Sequence, residues 1–196
     1  MSTEAGEVHP DELVALLRGI KGSDSKTWSV LDLGCGTGLF GSAVAPLASS
    51  LVGVDLSSKM LSKASALGIY SRLTQMDLLD MMGREVACSY DLVAATDVFI
   101  YIGKLDTLFV EARRLLKPGG LFAFSVETLG HPAHTALDEG SNDFRLKPSG
   151  RYAHSMQYLQ RLTASCGFEV VVAREIKVRI EQGLPLAGDL LILRGN

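Results

Sequence analysis

The sequence predicts an α/β fold: a doubly wound, mostly parallel sheet of seven strands, with helices on both faces and a terminal antiparallel β-hairpin. Three observations predict it. Apolar runs of strand length alternate with helical patterns, the arrangement of βαβ units. A glycine-rich turn leaves the first of those runs and opens a helix, as in sheets that bind nucleotides at their carboxyl ends. The last two apolar runs have only a turn between them, and strands so joined pair antiparallel or lie apart.

A helix is expected over 10–20, with Pro10 in its first turn, inside a short N-terminal helical segment, 1–27. After a loop at 22–26, the first buried strand covers 28–33. The glycine turn leads into a helix over 38–47, and the second strand is 50–54. Ser57 or Ser58 caps the next helix, where Met60, Leu61, Ala64 and Leu67 recur at helical spacing. Residues 73–76 and 90–95 read as the third and fourth strands. Over 105–116, Leu105, Leu108, Ala112, Leu115 and Leu116 gather on one side of a helix that Pro118-Gly119-Gly120 stops. The fifth strand spans 121–126. A polar, irregular insert follows at 127–153, long enough to be a functional or mobile loop. Ser155 caps a helix running to Cys166, and Gly167 closes it. Strands at 168–178 and 189–193 flank a turn around Gly183-Leu184-Pro185.

The 196 residues suit one domain, 1–196, with room for a substantial core. With 47% hydrophobic and 21% charged residues, the balance is that of a soluble globular protein. A net charge of -3, a pI near 5.8 and no run of Lys or Arg argue against nucleic acid or an anionic membrane as partner. No apolar stretch reaches the roughly 20 residues that span a bilayer. Residues 1–8 are polar and acidic and do not read as a secretory signal. Cys35, Cys88 and Cys166 are an odd number without CxxC spacing. Neither a disulfide framework nor a metal site is expected, and a reduced, cytoplasmic compartment fits.

The stretch that carries chemistry is Val30-Leu31-Asp32-Leu33-Gly34-Cys35-Gly36-Thr37-Gly38. Alternating glycines let the backbone turn sharply and let a ligand approach where a Cβ would collide. Asp55 ends the second strand, where a carboxylate can take both ribose hydroxyls. Gly36, Gly38 and Gly41 also spell GxGxxG, the weak dinucleotide fingerprint, which leaves an NAD-dependent oxidoreductase as one reading. Asp32 separates the two. A carboxylate beside the turn repels a pyrophosphate and attracts an ammonium. S-adenosylmethionine carries an ammonium and a sulfonium and has no phosphate.

The residues from Val30 to Val126 resemble the class I S-adenosylmethionine-dependent methyltransferase family, Rossmann-like and of small-molecule type. Beyond the glycine loop, Val52-Gly53-Val54-Asp55-Leu56-Ser57 resembles its ribose motif and Asp77-Leu78 the pair that meets adenine. Asp91-Leu92-Val93 leads the fourth strand, and Leu115-Leu116-Lys117-Pro118-Gly119-Gly120 resembles the stop before the fifth. The resemblance implies S-adenosyl-L-methionine as cofactor and S-adenosyl-L-homocysteine as product. It implies a cofactor site of Asp32, Gly34, Cys35, Gly36, Gly38, Leu39, Asp55, Leu56, Met60, Met76, Asp77, Leu78, Thr96 and Asp97. In plainer readings Asp32 ties down loop amides, Met60 and Met76 fill core, and Asp91 is a solvated strand end.

The reaction implied is methyl transfer, in which the protein aligns nucleophile and methyl and excludes water. The Thr96-Asp97-Val98-Phe99 run lacks the prolines of amine-directed nucleic-acid methyltransferases, no cysteine follows proline, and paired glutamates are absent. A small molecule remains as acceptor, with a protein side chain behind it. Asp97, Tyr101, His131, His134 and Tyr152 are the catalytic candidates, and the insert at 127–153 is a candidate substrate lid. Many small-molecule members carry a longer N-terminal helical cover than the roughly 27 residues before the first strand here. The insert then supplies the lid, the chain is part of something longer, or the site is open. A cofactor-binding module without catalysis is the second reading of the same motifs.

Overall fold

The computed structural model describes residues 9–22, 26–129, 143–181 and 184–196. Helix α1, Pro10–Lys21, begins on Pro10, whose missing N–H costs nothing there, and ends on Gly22 in the left-handed region. Strand β1, Trp28–Leu33, leads through the glycine turn into α2, Leu39–Val44. Strand β2, Ala48–Asp55, and helix α3, Ser58–Ala66, follow, with the Ser57 hydroxyl accepting the Met60 N–H. Next come β3, Arg72–Gln75, α4, Leu78–Arg84, and β4, Tyr90–Ala95. Beyond a 3-10 turn, Phe99–Tyr101, lie α5, Asp106–Leu115, and β5, Leu116–Thr128. Short strands β6, Phe144–Leu146, and β7, Tyr152–His154, precede α6, Met156–Ser165. The chain ends in β8, Phe168–Glu181, and β9, Leu184–Gly195.

Strands β3, β2, β1, β4 and β5 pair in that order, all parallel, and β9 runs antiparallel along β5 with β8 outside it. This is the parallel sheet with terminal hairpin that the sequence predicts. Nine strands are present among the described residues rather than seven. The two extra ones, β6 and β7, come from the segment read as an irregular insert. Strand β5 outlasts β4, and past Phe124 it pairs with β7 on the side that β4 has vacated. The β6–β7 hairpin therefore lies over the carboxyl end of β4. Phe144 there packs between Tyr152, His154 and Tyr158. Residues 130–142 of the insert, with His131 and His134, fall outside the described residues.

Side-chain alternation along β1 and β5 divides the core. Leu31, Leu33, Phe122 and Phe124 join Phe99, Phe109 and Phe168 on one face. Trp28, Val30, Leu121 and Ala123 meet Leu13, Leu17 and Phe40 on the other. Each fully buried side chain of this size contributes about 1.5–3 kcal/mol. Asp91, expected as a solvated strand end, is paired. It accepts the Ser29 amide and meets Lys117 at 2.7 Å and Lys21 at 3.1 Å, at the end of the sheet away from the glycine turn. Burial works against its charge, but Lys117, the Ser29 amide and Lys21 together hold its carboxyl below the usual range.

Candidate functional site

A cavity of about 890 Å³ opens at the carboxyl ends of β1, β2 and β4. That is where open α/β sheets leave a crevice, because the helices flanking neighbouring strands turn apart there. Gly34 and Gly36 bring its floor from β1, both at positive φ. A Cβ on Gly34 would lie 2.4 Å from Val98, so bare backbone is required for the loop to pack. A Cβ on Gly36 would meet nothing nearer than a carbonyl oxygen at 3.9 Å, leaving the space beside it open to a ligand.

Asp55, at the end of β2, fastens this loop. Its Oδ2 accepts the Gly36 N–H at 3.0 Å, and its Oδ1 accepts the Ser57 N–H at 2.8 Å. Each carboxylate oxygen retains acceptor capacity toward the cavity. Leu39, Leu56 and Met60 line the same wall, all exposed at 41% or more, an apolar rim around a polar centre. Asp77 and Leu78 line it from the start of α4, where the Asp77 carboxylate caps Leu79 at 2.8 Å. Thr96, Asp97 and Tyr101 enter from the end of β4 and the 3-10 turn. Cys35 also lines the cavity, with its thiol pushed up to about 12 by burial and the charges of Asp32 and Asp55. A thiol held protonated is packing rather than a nucleophile.

Four of the expected residues lie elsewhere. Asp32 is 1% exposed and does not line the cavity. It shares a strand face with Val30, so its side chain enters the layer beneath the loop, where Tyr70 donates its hydroxyl at 2.7 Å. Burial pushes its carboxyl up to about 7, the Tyr70 hydrogen bond opposing and the Asp55 charge adding. The loop amide that Asp32 was expected to hold is held by Asp55. Gly38 begins α2 at φ +87° facing Leu67 and Tyr70, and Met76 packs against the core. Tyr152 stacks edge-on with Phe144 away from the cavity. Gly41, third of the dinucleotide glycines, lies against Tyr70, whose hydroxyl a Cβ would overlap at 2.1 Å. That glycine serves packing.

Sequence reasoning missed one whole wall. His9, Pro10 and Leu13 of the α1 start, together with Ile176, Lys177 and Leu190 of the terminal hairpin, line the cavity. Ser125 lines it from inside β5. Ser125 is a lone hydroxyl in the apolar run Leu121-Phe122-Ala123-Phe124-Ser125-Val126, near a strand's carboxyl end, and that was a usable signal. The lining by α1 and β8 depends on how the hairpin curls over the sheet, which no local pattern records.

Among the described residues no group of three or more His, Cys, Asp and Glu could hold a metal ion. Asp55, Asp77 and Asp97 supply negative charge, and Lys177 is the one Lys or Arg among the described lining residues. This donor set suits a phosphate-free, cationic nucleoside better than a pyrophosphate. S-adenosylmethionine fits on those terms, with Gly36 giving backbone clearance and Asp55 giving acceptors for hydroxyls.

Comparison with known proteins agrees. Residues 31–124 match the model of a family described as a methyltransferase domain. That match takes in 94 of the 196 residues, a little under half of the chain. A ubiquinone biosynthesis O-methyltransferase from Rhizobium etli is 26% identical over 152 residues, covering 72% of this chain and 60% of that protein. The chain thus spans about 60% of the length of the first curated relatives it matches. An S-adenosylmethionine-dependent methyltransferase from Mesorhizobium loti superposes with a TM-score of 0.66 at 22% identity, over 94% of this chain and 97% of that one. A 1,6-didemethyltoxoflavin N1-methyltransferase from Burkholderia thailandensis gives 0.70 at 17%, over 97% and 79%. These likenesses concern the fold. No helix among the described residues is long and apolar enough to cross a membrane.

Proposed function

We propose that this chain transfers a methyl group from S-adenosylmethionine to a small-molecule acceptor. The observation that carries this is the convergence of Gly36, Asp55, Asp77 and Asp97 on one cavity from four different element ends. When bound, the cofactor supplies a methyl carbon on a sulfonium. Gly34 lets the loop pack and Gly36 gives the clearance the ligand's backbone needs, Asp55 accepts from the ribose hydroxyls, and Leu56, Met60 and Leu78 flank the adenine with Asp77. Thr96 and Asp97 lie where cofactor and acceptor meet. The curated relatives are named for O-methyl transfer, which supports an oxygen acceptor here. A hydroxyl acceptor is protonated at neutral pH, so a general base is required. Among the catalytic candidates, Asp97 and Tyr101 line the cavity, and only Asp97 is an acceptor-only group at neutral pH. Asp97 is the base in this reading.

The test is transfer of labelled methyl from S-adenosylmethionine to a panel of phenols and catechols, alongside calorimetry with S-adenosylhomocysteine. Product binding with methyl transfer supports the enzyme. Product binding with no transfer to any acceptor class favours the cofactor-binding module, and no binding rejects both.

A further inference from the structure

We propose that Ser125 positions Asp97 and binds the acceptor atom, and that the acceptor nucleophile is a hydroxyl oxygen; this rests on the methyl-transfer reading. Asp97 stands at φ +57°, one of two non-glycine residues at positive φ among the described residues. Such a conformation is sparsely populated by side-chain-bearing residues and persists where surroundings hold it. The neighbouring strand holds it: the Asp97 N–H donates to Ser125 Oγ at 2.9 Å, across 28 residues of sequence. Ser125 is a firm support. It is 6% exposed, lies inside β5, and is paired to Leu190 of β9.

The hydroxyl has a second capacity. In accepting from Asp97 it uses a lone pair, and its own hydrogen has no acceptor among the described residues. Buried hydroxyls rarely leave a hydrogen bond unmade. Ser125 and Asp97 line the same cavity, so that hydrogen is available to a ligand there. A group lying between them meets a carboxylate, which only accepts, and a hydroxyl hydrogen, which only donates. An acceptor hydroxyl satisfies both at one atom. Its proton passes to the Asp97 carboxylate as its oxygen lone pair bonds the methyl carbon, and the carbon–sulfur electron pair stays on sulfur. Asp97, then neutral, returns the proton to water.

Two readouts test this. In the first, amide exchange at Asp97 is followed by NMR in Ser125→Ala and Ser125→Thr, both checked for folding. The alanine variant should exchange on the order of tenfold faster than the parent, and the threonine variant, which keeps Oγ, should recover most of the protection. Unchanged exchange in the alanine variant, or no recovery with threonine, overturns the positioning role. In the second, catechol, protonated at neutral pH, is compared with 4-nitrocatechol, which ionises unaided. Ser125→Ala should lower kcat for catechol by about 10- to 100-fold and for 4-nitrocatechol clearly less, while raising KM for both phenols, since each loses the hydroxyl that binds its oxygen. Asp97→Asn should show the same split, more strongly. Equal losses on both phenols contradict a base held by Ser125. A parent enzyme that binds S-adenosylhomocysteine yet methylates neither phenol contradicts the hydroxyl acceptor, while failure to bind it rejects the underlying reading instead.

Discussion

Asp55 joins two tasks in one side chain. By accepting the Gly36 and Ser57 amides it sets the shape of the turn, and its remaining lone pairs face the cavity. Asp55→Ala should weaken S-adenosylhomocysteine binding by about 1–3 kcal/mol, the cost of leaving polar partners unsatisfied. Calorimetry measures this, and circular dichroism should show the fold retained, because a strand-end carboxylate is not core. Asp32 behaves differently. Its carboxyl is raised from 3.8 to about 7, chiefly by burial, so between those values the folded protein holds a proton that the unfolded chain has released. Its contribution to stability is fully present below pH 3.8 and is lost as pH rises through about 7. Asn at this position still accepts from Tyr70 and does not titrate. Asp32→Asn should therefore gain stability relative to the parent as pH rises over that window, by at most about 1.4 kcal/mol per pH unit. Urea unfolding across the window measures the difference, and parallel curves for the two proteins would refute the assignment. Asp32 is legible as an acid at the turn, but its motif does not carry the side of the strand it faces. Strand alternation sends it beneath the loop with Val30, and leaves the cavity to Asp55.

Helix α1 both packs and encloses. Leu13, Val14 and Leu17 are buried against the face that holds Trp28 and Phe40, and Leu13 also lines the cavity. Leu13→Ala should cost about 2–5 kcal/mol of stability through the space it leaves, and should weaken ligand binding as well. Arg174→Ala removes the ion pair with Glu12 at 2.5 Å, which is partly exposed on both sides. It should cost no more than about 1 kcal/mol. Denaturant midpoints of the two variants compare them, and a larger loss from Arg174 would mean that the helix is held by charge. Elements with strong periodicity were legible: β1 and β4 occupy the predicted residues, and Ser57 and Ser155 cap as expected. Helix α4, seven residues long, was missed because two turns give too few repeats to show a period. Strands β6 and β7, three residues each, carry no measurable alternation and exist by pairing with each other and with β5.

At the scale of the whole molecule, the parallel sheet gathers residues from β1, β2, α4 and the end of β4 into one cavity, while α1 and the terminal hairpin close its far side. Order along the chain told which strands neighbour the glycine turn, since a parallel α/β sheet leaves few other arrangements. The far side was not legible, because it is built from contacts between the first helix and the last strands, about 160 residues apart. The central claim is that the cavity is shaped for an S-adenosyl ligand and not for a dinucleotide. Calorimetry on the intact chain, with S-adenosylhomocysteine and NADH titrated under the same conditions, tests it most directly. S-adenosylhomocysteine should bind with a one-to-one saturable heat, NADH far more weakly, and Asp55→Ala should reduce only the former. NADH binding as tightly as S-adenosylhomocysteine, or more tightly, would contradict the account.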